Sequence, residues 1–296
     1  MPASGNLRAI VAMIAACAMF AWMDALLKLL AGSYPPFQVA ALRGWCALPL
    51  VALWLLWRGE VAVVFARGLR WRLHLLRGVS AVLMLALFTY GLKTLGLAEA
   101  YTLSFIAPMI ITLLSVPMLK ETVPPRHWVA IFIGLCGVVV ALRPDQGAFL
   151  QAGALAVLAA AVLYALSNVL GRIISRTEPS ATLVFWTTVS LALGGTAFGA
   201  SHWVAIDAAH APLLLGLAIS GFLAQLAITE AFRHGQASAV APFEYTALAW
   251  AVAVDWLLWR AVPDAYTLAG GAIIIASGLY LIRREAPRPA TVAAAP

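Results

Sequence analysis

Two carboxylates, Glu244 and Asp255, lie in an otherwise apolar stretch from Gly235 to Pro263 (GQASAVAPFEYTALAWAVAVDWLLWRAVP), with Pro242 near its start. In a segment this long and this apolar an acid must face protein or water rather than hydrocarbon. A proline there frees a carbonyl, because it has no N–H to donate. The stretch therefore predicts a cavity wall whose acids either contact a ligand or take up and release a proton, since a carboxylate in an apolar setting is cheapest when neutral. Asp24 and Lys28 form a second candidate group: they stand four apart with the acid N-terminal, the favourable order for an ion pair on one helix. Asn168 and Arg172 hold the same relative places further along. Arg43 lies inside a third apolar stretch, where it would reach Asp24 or an anionic ligand group, a charge-pair role being favoured.

The elements that must position these residues follow from composition. Of the 296 residues, 64% are hydrophobic and 10% charged, and the mean hydropathy is +0.95. That leaves too little polar surface for a soluble globule and predicts an all-α polytopic membrane protein embedded in a lipid bilayer. Ten spans are read, at 8–30, 36–57, 73–95, 97–119, 126–142, 149–174, 180–200, 211–232, 236–259 and 264–282. The first lacks a cleavage pattern and is read as a retained span. The net charge of +7 is spread singly between spans, which argues for topology and against nucleic acid. With the N-terminus inside, 14 of the 19 Lys and Arg residues fall on the inner side and 4 on the outer, which predicts both termini in the cytoplasm.

The opening stretch occurs twice. Shifted by 139 residues, Gly96 to Pro124 (GLAEAYTLSFIAPMIITLLSVPMLKETVP) lies over Gly235 to Pro263 without a gap, and Gly96, Ala98, Ala100 and Pro124 match their counterparts. A shift of 144 aligns Phe20, Ala21, Asp24 and Lys28 with Tyr164, Ala165, Asn168 and Arg172. The unit is thus five spans, 1–145 and 146–296, the second ending in a short cytoplasmic tail. An odd number of spans inverts the second copy, an arrangement typical of carriers that expose one central site alternately to each side.

On the fourth span Tyr101, Ser104, Phe105, Pro108, Thr112 and Ser115 form one helical stripe, and the matching stripe of the ninth carries Phe243, Glu244, Ala247 and Ala251. These read as two walls of a pocket, although hydroxyls and small residues also pack helices together in membranes. Trp22, Tyr90, Tyr164, Trp186, Tyr245 and Trp250 could line a site for a flat ligand, whereas tryptophans near span ends suit interfacial belts. Pro108 and Pro242 are candidate bending points. Lys28 and Arg172 either gate the two ends or snorkel to the interface. Glu230 is read as an interfacial partner of Arg233. Cys17, Cys46 and Cys136 carry no CxxC pattern and read as small buried packing residues. The five histidines are scattered over loops and span ends, so neither a metal site nor a catalytic dyad is drawn. No Walker lysine motif and no G-x-S-x-G occurs, and no cofactor is implied.

The segments HLLRGVSAVLMLALFTYGL (His74–Leu92), AEAYTLSFIAPMIITLLSVPMLKE (Ala98–Glu121), GLCGVVVALRP (Gly134–Pro144), ASAVAPFEYTALAW (Ala237–Trp250) and GGAIIIASGLYLIRRE (Gly270–Glu285) resemble the EamA repeats of the drug/metabolite transporter superfamily. Within it the chain is similar to bacterial members that include riboflavin and S-adenosylmethionine carriers. The resemblance implies ten helices in two inverted repeats, an inner-membrane location and a small organic cargo. The family pattern closes the fourth and ninth spans with an acid: Glu121 fits, while Arg260 stands at the second place. Together these readings predict a secondary transporter for a vitamin-, nucleoside- or amino-acid-like metabolite, not an enzyme. Its pocket would be built from spans 1, 3, 4, 6, 8 and 9, protons are a candidate coupling ion, and the carrier would be a monomer or weak homodimer. An exporter of the same family, an enzyme acting on a lipid-linked substrate and a cargo-free scaffold are the alternatives.

Overall fold

The computed structural model describes residues 3–66, 68–120, 122–142, 152–235, 240–260 and 265–285. Its helices are α1 (Ala3–Ala31), α2 (Pro36–Arg58), α3 (Trp71–Leu92), α4 (Leu97–Ser104), α5 (Ala107–Leu119), α6 (Pro125–Leu142), α7 (Ala152–Ile174), α8 (Ser180–Gly199), α9 (Ala211–His234), α10 (Ala247–Trp259) and α11 (Ala265–Glu285), with 3-10 turns at Val61–Phe65, Ala200–His202, Ala208–His210 and Ala241–Thr246. The chain is all-helical among the described residues. Six of its helical stretches are long and apolar enough to cross a bilayer, and two shorter apolar helices, Ala107–Leu119 and Trp128–Gly137, accompany them. Large apolar side chains such as Leu53, Leu56, Trp57, Leu75 and Phe132 point outward, while Gln38, Arg43, Arg77, Thr112 and Glu244 are buried. This inside-out distribution is that of a protein solvated by hydrocarbon.

The two stretches that open as candidates in the sequence are both broken, not continuous. Pro108 has no N–H for the carbonyl of Ser104, so α4 stops there and α5 restarts at Ala107. Near Pro242 the chain forms the 3-10 turn Ala241–Thr246 before α10 begins; the side chain of Pro242 lies outside the described residues. The downstream halves, Ala107–Leu119 and Ala247–Trp259, are each 13 residues long and end on a left-handed basic residue, Lys120 at φ 56° and Arg260 at φ 53°. Their starts are 247 − 107 = 140 apart, one more than the register of the sequence match.

The helix pairs that pack most extensively are α1 with α9, α3 with α7, α2 with α8, and α6 with α11. Helices α2 and α8 approach so closely that glycine is required. A methyl group on Gly44 would overlap the backbone of Ala192, and one on Gly195 would overlap that of Ala41. The two contacts belong to one antiparallel register, since 44 + 192 and 41 + 195 are both 236.

Hydrogen bonds hold both ends of the bundle. At the end where α1 passes into α2, Gln38 exchanges two bonds with the backbone of Val204 at 2.6 and 2.8 Å, and the Tyr34 hydroxyl meets His210 Nδ1 at 2.8 Å. At the opposite end His74 Nε2 contacts Glu178 Oε2 at 2.7 Å, both side chains buried, and the Arg70 N–H donates to the other oxygen at 3.0 Å. Glu230 accepts from the Ser180 hydroxyl and contacts His234 at 3.0 Å and Arg8 at 3.5 Å. Arg233 donates to Ser180 instead, so the direct Glu230–Arg233 pair expected from the sequence is replaced by one that Ser180 bridges.

Candidate functional site

A cavity with about 750 Å³ of atom-free space, its mouth included, lies at the centre of the bundle. Helix α1 contributes Cys17, Phe20, Met23 and Asp24; α2 contributes Arg43; α3 contributes Met84, Leu85 and Phe88. The broken stretch supplies Tyr101, Ser104, Phe105 and Ala107, α7 supplies Ala160, Ala161 and Tyr164, and the 3-10 turn and α10 supply Glu244 and Ala247. A mostly apolar, aromatic lining with a few convergent polar groups is the character of a pocket for a small organic molecule. Its composition departs from the sequence expectation in one respect: α2 lines the cavity and α9 does not. The reason is Gly221 of α9, where a side chain would press on Arg43 Nε at 3.1 Å; its absence leaves room for the guanidinium.

Most of the wall is apolar and aromatic. Phe88, Tyr101, Phe105 and Tyr245 form a run of edge-to-face contacts with centroids 6.3, 6.4 and 5.4 Å apart. Into this wall are set three charged side chains. The Tyr101 hydroxyl donates to Asp24 Oδ2 at 2.7 Å. Arg43 is an electrostatic neighbour of Asp24 and sits 6.0 Å from the Phe20 ring centre, but among the described residues it forms neither a hydrogen bond nor an ion pair at contact distance. Glu244 is 7% exposed and its Oε1 has no hydrogen-bond partner among the described residues. Tyr164 stands between Glu244 and Asn168, and the Cys17 thiol points at the backbone carbonyls of Phe243 and Glu244, both at 3.9 Å.

Asp24, Arg43, Tyr101, Ser104, Phe105, Tyr164 and Glu244, named from the sequence, are thus brought together. Others lie elsewhere. The expected Asp24–Lys28 ion pair is not made: Asp24 turns to Tyr101, and the Lys28 ammonium rests 4.8 Å from the centre of the Trp259 ring. Tyr90 and Trp250 are 44% and 40% exposed and do not line the cavity, nor do the half-buried Trp22 and Asp255. Phe243 and Tyr245 are buried behind the lining. Trp186 packs on Trp71 and Phe65 and donates to the Val64 carbonyl. Thr112 and Ser115 bond carbonyls of their own helix, and buried Pro108 starts α5. Asn168 lines a small separate cleft with Arg77. Arg172 donates to the carbonyls of Phe232 and Arg233, each at 2.7 Å, and so closes the end of α9. Of the cysteines Cys17 is buried, Cys46 half-buried and Cys136 exposed, so buried packing describes the first alone. Glu121 lies outside the described residues.

Arg77 is a residue that sequence reading missed. It is one of the 14 basic residues assigned to the inner side, yet it is buried and donates to the carbonyls of Ser167 and Leu183 and to the Thr187 hydroxyl. The available signal is Gly171, whose missing side chain admits the guanidinium, but only tertiary contact pairs the two.

A bundle of membrane-length apolar helices around a charged, aromatic cavity is the architecture of a polytopic membrane protein with a central binding space, and the comparisons make it a transporter. The chain belongs to the EamA-like transporter family, whose model matches residues 7–143 and again 151–284. It is 26% identical over 262 residues to the S-adenosylmethionine uptake transporter of Rickettsia bellii (strain RML369-C), covering 88% of this chain and 89% of that one. It is 27% identical to the pseudopaline exporter CntI of Pseudomonas aeruginosa (strain UCBPP-PA14), over 90% and 93% of the two chains. To the riboflavin transporter of Rhizobium johnstonii (strain DSM 114642 / LMG 32736 / 3841) it is 30% identical, over 74% and 72%. A solved crystal structure superposes with a TM-score of 0.75 at 21% identity, over 96% of this chain and all of the other, which shows a shared fold.

Proposed function

We propose that this chain is a secondary transporter that moves a small organic metabolite, vitamin-, nucleoside- or amino-acid-like, across the bacterial inner membrane through the central cavity. Ten spans in two inverted five-helix repeats, 1–145 and 146–296, would rock about a pseudo-two-fold axis in the membrane plane, both termini cytoplasmic, as a monomer or weak homodimer. Exchanging first-half helices for their second-half counterparts turns the α1–α9 pairing into α7–α3 and leaves α2–α8 and α6–α11 as they are, which is the packing observed.

The observation that carries the functional reading is the central cavity itself, in which buried Asp24, Arg43 and Glu244 face one aromatic-walled space. Charges inside a membrane protein are costly and mark the path of a substrate or ion. Asp24 and Glu244 are the candidates for coupling to protons. The named cargoes of the relatives, S-adenosylmethionine, riboflavin and pseudopaline, set the first compounds to try, and one of those relatives being an exporter keeps both directions in play. The test is a thermal-stabilisation screen of the purified protein against vitamins, nucleosides, S-adenosylmethionine and amino acids, followed by flux of the hits into proteoliposomes. At ligand concentrations about a hundredfold above Kd, a binder stabilises by roughly 2.7 kcal/mol. A chain that is stabilised by none of these compounds and moves none of them is not such a carrier. Flux that is indifferent to a pH gradient in both the wild type and Glu244→Gln removes proton coupling.

A further inference from the structure

Two polar groups in the cavity keep hydrogen-bonding capacity that no described residue fills, although the Tyr164 hydroxyl is a partner of the Glu244 carboxyl. Arg43 presents a guanidinium, five N–H donors in a rigid fork, that bonds no described residue. Glu244 presents a carboxylate oxygen that is buried and accepts no hydrogen bond from a described residue. Each is costly as it stands, because a buried charge or acceptor without a partner loses the hydration it had in water. Asp24 does not resolve the position of Arg43: it lies outside contact distance and one of its oxygens is taken by Tyr101.

The two groups lie at different depths along α1. Arg43 is beside Phe20 and Asp24, whereas the Glu244 backbone meets Cys17. One to two helical turns separate those levels, roughly 5–10 Å at 1.5 Å per residue. Between them the wall is aromatic and aliphatic. We propose, resting on the transport reading above, that the site takes a zwitterion whose charges stand several bonds apart, with a carboxylate on Arg43, a cationic group on Glu244 and an apolar or aromatic body against the rings. Arg43 suits a carboxylate because its planar fork can donate two parallel bonds. Glu244 suits an organic cation because its carboxyl lines the same cavity as several aromatic rings, which add to the attraction for a positive charge. A ligand of this kind brings to each pole the partner that the fold withholds, and one lacking either charge leaves a desolvated group unsatisfied.

The proposal is tested with two probe series on the purified full-length protein, with binding read by thermal shift and calorimetry. One series is 5-(benzylamino)pentanoate, N-pentylbenzylamine without the carboxylate and 5-(benzyloxy)pentanoate without the cation. The other is S-adenosylmethionine, its decarboxylated form and S-adenosylhomocysteine, which lacks the sulfonium charge. In at least one series the zwitterion with separated charges binds about tenfold or more tighter than either truncated form, the scale set by leaving one charged group unpaired. Arg43→Gln then abolishes the preference over the form without carboxylate, while Glu244→Gln abolishes the preference over the form without the distant cation. These are ratios within one variant, so a general loss of stability does not produce them, and the wild-type ratios stand without any variant. Equal binding of the truncated forms, ratios unchanged by both substitutions, or no binding of either zwitterion overturns the proposal. If riboflavin or another compound of the screen still binds and crosses, the transport reading survives that failure; if nothing binds or crosses, both fall.

Discussion

At the scale of single residues the site is an unequal distribution of partners. Asp24 has its hydrogen bond from Tyr101, whereas Arg43 and the Oε1 of Glu244 face the cavity without one among the described residues. Removing the Tyr101 hydroxyl takes from Asp24 the hydrogen bond it makes in this structure. Tyr101→Phe is therefore expected to lower stability by about 1–3 kcal/mol in a thermal or denaturant unfolding measurement. Asp24→Asn in the same chain should recover part of that loss, and a double-mutant cycle measures the coupling. Glu244→Gln is expected to do the opposite: it neutralises a buried carboxyl whose Oε1 has no hydrogen-bond partner among the described residues, so the apo protein melts at the same temperature or higher while affinity for a cationic ligand falls.

At the scale of elements, what positions these residues is a pair of broken helices and a few close approaches. The break before Pro108 brings Tyr101, Ser104, Phe105 and Ala107 to the cavity and leaves Thr112 and Ser115 to bond within α5. Without Pro108 the Ser104 carbonyl could regain its N–H partner, and the two pieces could join into one straight helix. The α2–α8 contact tolerates no side chain at its centre. Gly195→Ala places a methyl against the backbone nitrogen of Ala41, 2.6 Å away, and is expected to cost about 1–3 kcal/mol, seen as a lowered melting temperature. Because the obstruction is main chain, Ala41→Gly should not rescue it. His74 ties the start of α3 to the loop between α7 and α8 through buried Glu178. His74→Ala leaves that carboxylate, among the described residues, with the Arg70 N–H alone and should destabilise by about 1–3 kcal/mol.

At the scale of the whole molecule the packing is close to symmetric and the chemistry is not. The helix pairs exchange into one another under the proposed repeat, yet Arg43 sits on α2 and Glu244 on the turn before α10, and the sequence match sets Phe105 opposite Glu244. An alternating carrier predicts that one position in the cavity becomes reachable from each side in turn. With Cys17, Cys46 and Cys136 replaced by Ala, Ser104→Cys should be modified by a membrane-impermeant thiol reagent added to either face of sealed vesicles, and a bound substrate should slow both reactions. Modification from one face only, with no protection by any ligand of the screen, would speak for a fixed cavity.

The sequence by itself determined the class of protein. Hydrocarbon admits only chains whose backbone is bonded within helices or closed barrels, so long apolar stretches and a mean hydropathy of +0.95 leave few alternatives. It also singled out Glu244, because an acid in such a stretch needs a reason, and it found the duplicated register through matched glycines and prolines. The tertiary structure alone decided which of the named residues share a space. Periodicity along one helix cannot distinguish a wall that faces a cavity from one that faces lipid, so Tyr90 and Trp250 carried the same signal as Tyr101 and Tyr164. Nor could it find Gly221 beneath Arg43 or Gly171 beneath Arg77, since the room a glycine leaves belongs to whichever helix packs against it. Asp24 shows the same limit. Its spacing to Lys28 favours a local pair, and the fold overrides that preference by bringing the Tyr101 hydroxyl from 77 residues away to 2.7 Å, inside the bundle where a hydrogen bond to a charge counts for more than on an exposed helix face.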